Sequence, residues 1–511
     1  MTYTNPILPG FHPDPAICRV GSDFFLVTSS FEYFPGIPLF HSRDLVHWEQ
    51  IGHVLTRDSQ VTLAHDAPNC LGIYAPTIRY HDGIFYCIVT NVGGERNGNF
   101  FVWTDDPYSE WSEPVFLPFG GIDPSLLFDD DGKIYYSGTD EGVFIAEIRL
   151  DDNHCCTGVG EKHYAWNGSG GNNPEGPHLY KINGLYYLMV AEGGTEYCHM
   201  ETIARSQNVY GPYEPCPHNP ILTNRSTGLP IKATGHADLV EDAAGNWWAV
   251  CLGIRPLGYP FRHNLGRETM LAPVTWENGW PTIGENGHIT ETVSTPLLPD
   301  RDPDFQSRYY IPASAMTDSF DSATMHLSWN TIYNPEPDCY SFTPDGLILQ
   351  GNHCDISSAE PKALLCRRQE HFDFTAEVTF CMKVPAEGDE AGLSVYMNNR
   401  HHYEAALTVK DGRRQLILRR QIGSLCAIEQ TIDYDKDTVT LQLCGSRECY
   451  TFSYLSPQGE AVRIGSGEAQ YLTTEVGGCF TGNYIALYAS CGEMSTKNDV
   501  VFHRFSYFPL H

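Results

Sequence analysis

Residues 123–138 read DPSLLFDDDGKIYYSG: an acid, a proline, a short apolar run, a polar turn ending in glycine, then an aromatic run. Four other segments share this grammar. They are DPAICRVGSDFFLV (14–27), APTIRYHDGIFYCIV (75–89), EGPHLYKINGLYYLMV (175–190) and HADLVEDAAGNWWAV (236–250). Their leading residues, Asp14, Ala75, Asp123, Glu175 and His236, are separated by 61, 48, 52 and 61 positions. Each segment predicts a β-hairpin, with Asp82-Gly83, Asp131-Gly132 and Asn183-Gly184 as tight-turn signals. About 50–60 residues per unit is the size of a four-stranded propeller blade. Five units therefore predict a five-bladed β-propeller over residues 1–300. The Asp129-Asp130-Asp131 run ends in a hairpin glycine and reads as a solvated turn rather than a calcium loop.

The rest of the chain is also β-patterned, without the fivefold grammar. Residues 301–316 read as a linker. In TAEVTFCMKV (375–384), Ala376, Val378, Phe380, Met382 and Val384 share one face, and similar runs recur to the end. This predicts an antiparallel β-sandwich over 317–511. The fold class is thus all-β, a five-bladed β-propeller followed by a β-sandwich.

Composition narrows the partners. The 511 residues carry 63 acids and 32 Lys and Arg, a net charge of −31. Phosphates repel such a surface, so nucleic acid and anionic membrane are disfavoured. A neutral, polyhydroxylated ligand suits the 12% aromatic content better. The opening MTYTNPILPG has no basic and apolar leader pattern, and the 17 cysteines form no CxxC pair. Both lead to the expectation of a reduced, cytoplasmic protein. Oligomeric state stays open, with a homo-oligomer among the possibilities.

Equivalent repeat positions lie at equivalent distances from a propeller axis. Asp14, Ala75, Asp123, Glu175 and His236 should therefore ring one end of the central channel. Three mutually repelling carboxylates there mark a functional site. Two carboxyls across a gap are the minimum apparatus for hydrolysing a glycosidic bond. Glu175, beside the like charge of Asp123, is expected to keep its proton and act as general acid. Asp14, further round the ring, is expected to stay ionised as general base, with Asp123 tuning Glu175. His236 has two open readings: a ligand, direct or through water, for a cation in the channel, or a hydrogen-bonded channel histidine.

These residues lie in stretches that resemble glycoside hydrolase family 43, in its two-domain β-xylosidase and α-L-arabinofuranosidase branch. The stretches are NPILPGFHPDP (5–15), SSFEYFPGIPLFHSRDLVHW (29–48), IDPSLLFDDDGKIYY (122–136), PEGPHLYKINGLYYLMVAEGGTEYCHMETIARS (174–206), TGHADLVED (234–242), LGRETML (265–271) and RRQEHFDF (367–374). The resemblance implies an inverting mechanism with base, modulator and acid on Asp14, Asp123 and Glu175. It implies that Phe31 lines the sugar subsite and that Arg267 binds substrate hydroxyls. It implies that His236 contacts a central Ca2+ or a water, although the hydrolysis requires no cofactor. It further implies that Phe480, in GGCFTGNY (477–484), reaches the pocket from the sandwich. Tyr74-Ala75-Pro76-Thr77 departs from the WAPH of β-xylosidases and alters an aromatic wall of the sugar site.

The leading expectation is an exo-acting glycosidase releasing terminal xylose or arabinofuranose from small oligosaccharides. An endo-acting arabinan hydrolase and a non-catalytic sugar-binding propeller are the alternatives.

Overall fold

The computed structural model describes residues 2–63, 70–299, 316–322, 324–478 and 480–510. The repeat segments become the two innermost strands of five consecutive antiparallel sheets. The inner strands are Ala16–Val20, Thr77–His81, Ile122–Phe128, Glu175–Ile182 and Lys232–Glu241, one for each of blades I to V. The ring closes near its ends: Thr2–Thr4 pairs with Thr292–Ser294, and Leu8 bridges Thr269.

Local chemistry decides the hairpins. Asp82-Gly83 and Asn183-Gly184 both have positive φ at the two central positions, as a two-residue turn between twisted strands requires. The third hairpin differs from the sequence expectation. Its turn spans Asp129 to Lys133, closed by Asp129 N–H donating to the Lys133 carbonyl at 2.9 Å. Nor is Asp129 solvated. It is buried, accepting from Lys181 Nζ at 2.8 Å and Tyr186 Oη at 2.5 Å. The acid run thus ties blade III to blade IV.

One arginine spans the axis. Arg79 of blade II pairs with both oxygens of buried Asp238 on blade V, at 2.8 and 3.1 Å. Its Nη2 also meets His178 Nδ1 of blade IV at 3.0 Å and Ser125 Oγ of blade III at 3.5 Å. Nη1 reaches the Ile17 carbonyl of blade I at 3.4 Å, while Ile17 N–H donates to Asp238 at 2.9 Å. Every blade therefore contributes to one charge-assisted network.

The C-terminal unit is a sandwich of an eight-stranded and a six-stranded antiparallel sheet. In the strand Phe374–Cys381, Ala376, Val378 and Phe380 face the core, as does Met382 just beyond it. Val384, expected on the same face, lies past the strand end and is 94% exposed. The predicted linker falls outside the described residues except Met316, which pairs in the eight-stranded sheet.

The two units share a core. Leu364, Cys366, Tyr484, Ala486 and Tyr488 on the outer face of the six-stranded sheet join one apolar cluster with Phe11, Tyr33 and other propeller residues. Tyr33 and Tyr484 stack at 3.8 Å with 13° between ring planes. Thr331–Ile332 pairs with Tyr33–Phe34 across the boundary. Arg368 Nε donates to the Phe11 carbonyl at 2.6 Å, and its Nη1 to Asn330 Oδ1 at 3.1 Å. Replacing Arg368 with Ala strands that buried carbonyl. The expected cost is about 2 kcal/mol in denaturant unfolding; an unchanged midpoint would remove Arg368 from the docking.

Candidate active site

The inner strands are irregular at the channel mouth, and the irregularity aims the side chains. Pairing registers shift between Ile122 and Ser125, between Glu175 and His178, and between Gly235 and Asp238. Such bulges re-aim a side chain out of the regular alternation. Asp14, Asp123 and His236 have φ of 52°, 56° and 51°, in the sparsely populated left-handed region. On blade IV the left-handed position moves one residue on, to Gly176. Non-glycine residues hold such conformations only where the surroundings enforce them.

The structure brings Asp14, Asp123, Glu175 and His236 together, with unequal surroundings. Asp14 is buried. Its Oδ1 accepts from Arg267 Nη1 at 2.6 Å and lies 3.9 Å from His236 Nδ1; its Oδ2 accepts from Ser29 Oγ at 2.6 Å. Burial pushes this carboxyl up, but Arg267, His236 and the Ser29 hydroxyl outweigh it and hold Asp14 below its ordinary value. Asp123, also buried, accepts from Gly176 N–H at 2.9 Å. Burial and the Asp14 charge raise it above its ordinary value, against the pull of His236. Glu175 is pushed up to about 8, first by burial, then by Asp123 and Asp14. Like-charge repulsion, the cause expected from sequence, is therefore second to desolvation. One carboxylate stays charged and one carboxyl stays protonated near neutral pH.

Aromatic walls flank the acids. The Phe31 ring is 5.0 Å from Tyr74 and 5.7 Å from Phe480. The Arg267 guanidinium lies 5.5 Å from the Phe31 ring centre and 5.7 Å from that of Phe480. Arg267 Nε and Nη2 are buried without a hydrogen-bond partner, leaving donors for a ligand. Ala75 is buried and carries only a methyl group. Phe480 arrives from the sandwich because backbones meet there. Asn483 N–H donates to the Asn264 carbonyl at 2.8 Å, and Thr474 N–H to that of His263 at 3.1 Å. A Cβ on Gly482 would sit 2.5 Å from the Leu265 carbonyl, so only glycine permits the approach.

Sequence reasoning missed several neighbours. Ser29 and Thr195, which takes a 3.3 Å bond from Arg267 Nη1, lie inside resembling stretches but carry no pattern of their own. His199 is buried between His236 and Arg267. Burial and those neighbours push it down to about 3. It crowds Gly235, where a Cβ would lie 2.3 Å from its ring.

The side chains around His236 offer few oxygen donors for a directly held calcium. Calcium prefers six to eight oxygen ligands. Asp14 Oδ1, 3.9 Å from the His236 ring, is already held by Arg267, and the Arg79 guanidinium lies against His178. Among the described residues no three His, Cys, Asp or Glu side chains gather as a metal site. This donor set does not fit a directly held divalent cation.

Residues 3–281 match the family model for glycosyl hydrolases family 43, and residues 317–508 match that for the beta xylosidase C-terminal concanavalin A-like domain. The chain belongs to glycosyl hydrolase family 43. It is similar to a non-reducing end alpha-L-arabinofuranosidase of Bacteroides ovatus, at 41% identity over 99% of this chain and 94% of that one. It is also similar to a xylosidase/arabinosidase of Butyrivibrio fibrisolvens, at 38% identity over 99% and 98%. A solved Bacteroides ovatus structure, xyloglucan PUL GH43B, superposes with a TM-score of 0.92 and 39% identity, covering all of both chains. This family 43 protein is thus a glycosidase, and family 43 enzymes invert the anomeric carbon. No helix among its described residues is long and apolar enough to cross a membrane.

In this glycosidase Arg267 sets the Asp14 charge. Arg267→Ala is expected to raise the Asp14 pKa, read by carbon NMR titration of labelled aspartate; an unmoved titration would leave the charge to His236 and Ser29.

Proposed function

We propose that the chain is an exo-acting, inverting glycosidase that removes a terminal β-D-xylose or α-L-arabinofuranose from xylo- or arabinoxylo-oligosaccharides. One observation carries the reading: Asp14 and Glu175 share a ring yet are pushed to opposite protonation states, in a pocket walled by Phe31, Tyr74 and Phe480.

Glu175 gives its proton to the glycosidic oxygen as the bond to the anomeric carbon breaks. Asp14 takes a proton from the water that attacks that carbon from the other face. The sugar leaves with inverted configuration, and each carboxyl ends in its partner's starting charge state. Asp123 keeps Glu175 protonated until substrate arrives. Arg267 directs its two unpartnered nitrogens to sugar hydroxyls. Phe480 closes the far side, which supports attack on chain ends. The names of the similar proteins support both pentoses. The free thiols among the described residues support a reducing compartment, the cytoplasm.

Paired aryl β-xyloside and aryl α-L-arabinofuranoside substrates test the reading and rank the sugars. Glu175→Gln is expected to lower kcat/KM on an unactivated disaccharide by about 10²–10⁴-fold. Unchanged turnover would sink the assignment. The kcat/KM profile should fall on the alkaline side as Glu175 loses its proton near pH 8, since the acid must be protonated. It should fall on the acid side below the usual carboxylate range, since Asp14 must be ionised. Proton NMR of the first product should show the inverted anomer.

We also propose that the hydrolysis requires no cation. A chelator such as EDTA is expected to leave the rates unchanged; a loss restored by calcium would put the ion back at His236.

A further inference from the structure

The rim of the channel carries an aromatic group that the pocket chemistry does not use. Tyr259 and Phe261 are 91% and 43% exposed, on a loop whose base is closed by Leu257 N–H donating to the Arg262 carbonyl at 2.7 Å. Their rings meet edge to face at 6.1 Å. Phe261 stacks on Tyr197 at 5.5 Å and 22°, and Lys232 Nζ lies 5.3 Å from its ring centre. Three rings from two blades thus form one continuous cluster.

Its position is tied to the pocket on three sides. Tyr197 follows Thr195, which accepts from Arg267 at 3.3 Å. Lys232 begins the inner strand that carries His236. The sandwich supplies the third tie. Glu475 Oε1 accepts from Tyr197 Oη at 2.8 Å and meets His263 Nδ1 at 2.7 Å, while its Oε2 accepts from His263 N–H at 2.9 Å. Glu475 lies five residues before Phe480, so one sandwich segment both walls the pocket and braces the rim.

Leaving a tyrosine 91% in water gains almost nothing for the fold. A contiguous exposed aromatic patch beside a pocket marks a binding surface. The occupant follows from the exo reading, on which this inference rests. When the terminal sugar fills a pocket closed by Phe480, the remaining units must leave through the mouth, across this rim. Pentose rings present apolar C–H faces that stack on aromatic rings, with hydroxyls at their edges. The Tyr259 hydroxyl supplies a polar partner beside the rings, and that of Tyr197, which donates to Glu475, can still accept.

We propose that Tyr259, with Phe261 and Tyr197 behind it, is a platform for the leaving-group sugars, distinct from the pocket that holds the terminal pentose. It selects for oligosaccharides over disaccharide-sized substrates. The platform is preformed, because the loop is closed and Tyr197 is anchored by Glu475, so binding to it costs little ordering.

The test compares kcat/KM on a pentose tetrasaccharide with kcat/KM on an aryl glycoside of the same terminal sugar. Tyr259→Ala, whose side chain is too exposed to matter for folding, is expected to lower the ratio of the two about tenfold, mainly through KM. Tyr259→Trp should restore it. A wild type active on the aryl glycoside whose ratio is unmoved by Tyr259→Ala and by Phe261→Ala would overturn the platform and leave the glycosidase reading standing. A wild type inactive on aryl β-xyloside and aryl α-L-arabinofuranoside alike would overturn the exo-pentosidase reading and the platform with it.

Discussion

The Arg79–Asp238 pair is the constraint on which the rest of the ring depends. A propeller axis collects five inner strands whose side chains face a narrow channel, and polar groups there must find partners or pay desolvation. The single guanidinium meets groups from all four other blades. Its planar fork suits a bidentate carboxylate partner in a way that a lysine could not. Asp238 is two positions after His236, Ser125 two after Asp123 and His178 three after Glu175. The network is therefore the floor directly beneath the acid ring. Fixing the floor fixes the registers from which the bulged ends project their carboxyls.

Above that floor, the chain keeps like charges together by treating them differently. Arg267 and Ser29 hydrogen-bond Asp14 directly, while Glu175 has burial, two acidic neighbours and, among the described residues, only the more distant pull of Arg267. The asymmetry of the pair comes from one arginine placed on one side. The sandwich completes the arrangement, because the segment that carries Arg267 is stitched to the one that carries Phe480. The second unit is thus part of the pocket wall as well as a packing partner.

Much of this was legible before the fold was known, for a definite reason. A repeat reports radial equivalence, so Asp14, Asp123, Glu175 and His236 could be gathered without any contact being seen. Alternation reported the sandwich core from Ala376 to Met382. What failed was local or pairwise. Asp129 looked like a solvated turn acid because the partners that bury it, Lys181 and Tyr186, lie some fifty residues away on the next blade. Val384 kept the apolar alternation past the end of its strand, where pattern persists and pairing stops. Ser29 and Thr195 are small polar residues whose roles come only from what stands beside them. The leading cause of the Glu175 shift, burial, depends on walls that no single stretch of sequence describes.

The pocket joins residue 14 to residue 480, and that span has a consequence for how the molecule is made. Asp14 leaves the ribosome some 250 residues before its partner Arg267 and some 470 before the Phe480 wall. Contacts of such separation form late and slowly. Until Arg267 arrives, the nascent chain carries an acidic cluster without its counter-charge. A chain interrupted between residues 295 and 480 would carry the strands of all five blades but no closed pocket. Assembly of the site therefore acts as its own proofreading step: enclosure of the acids reports that both units have been made and have docked.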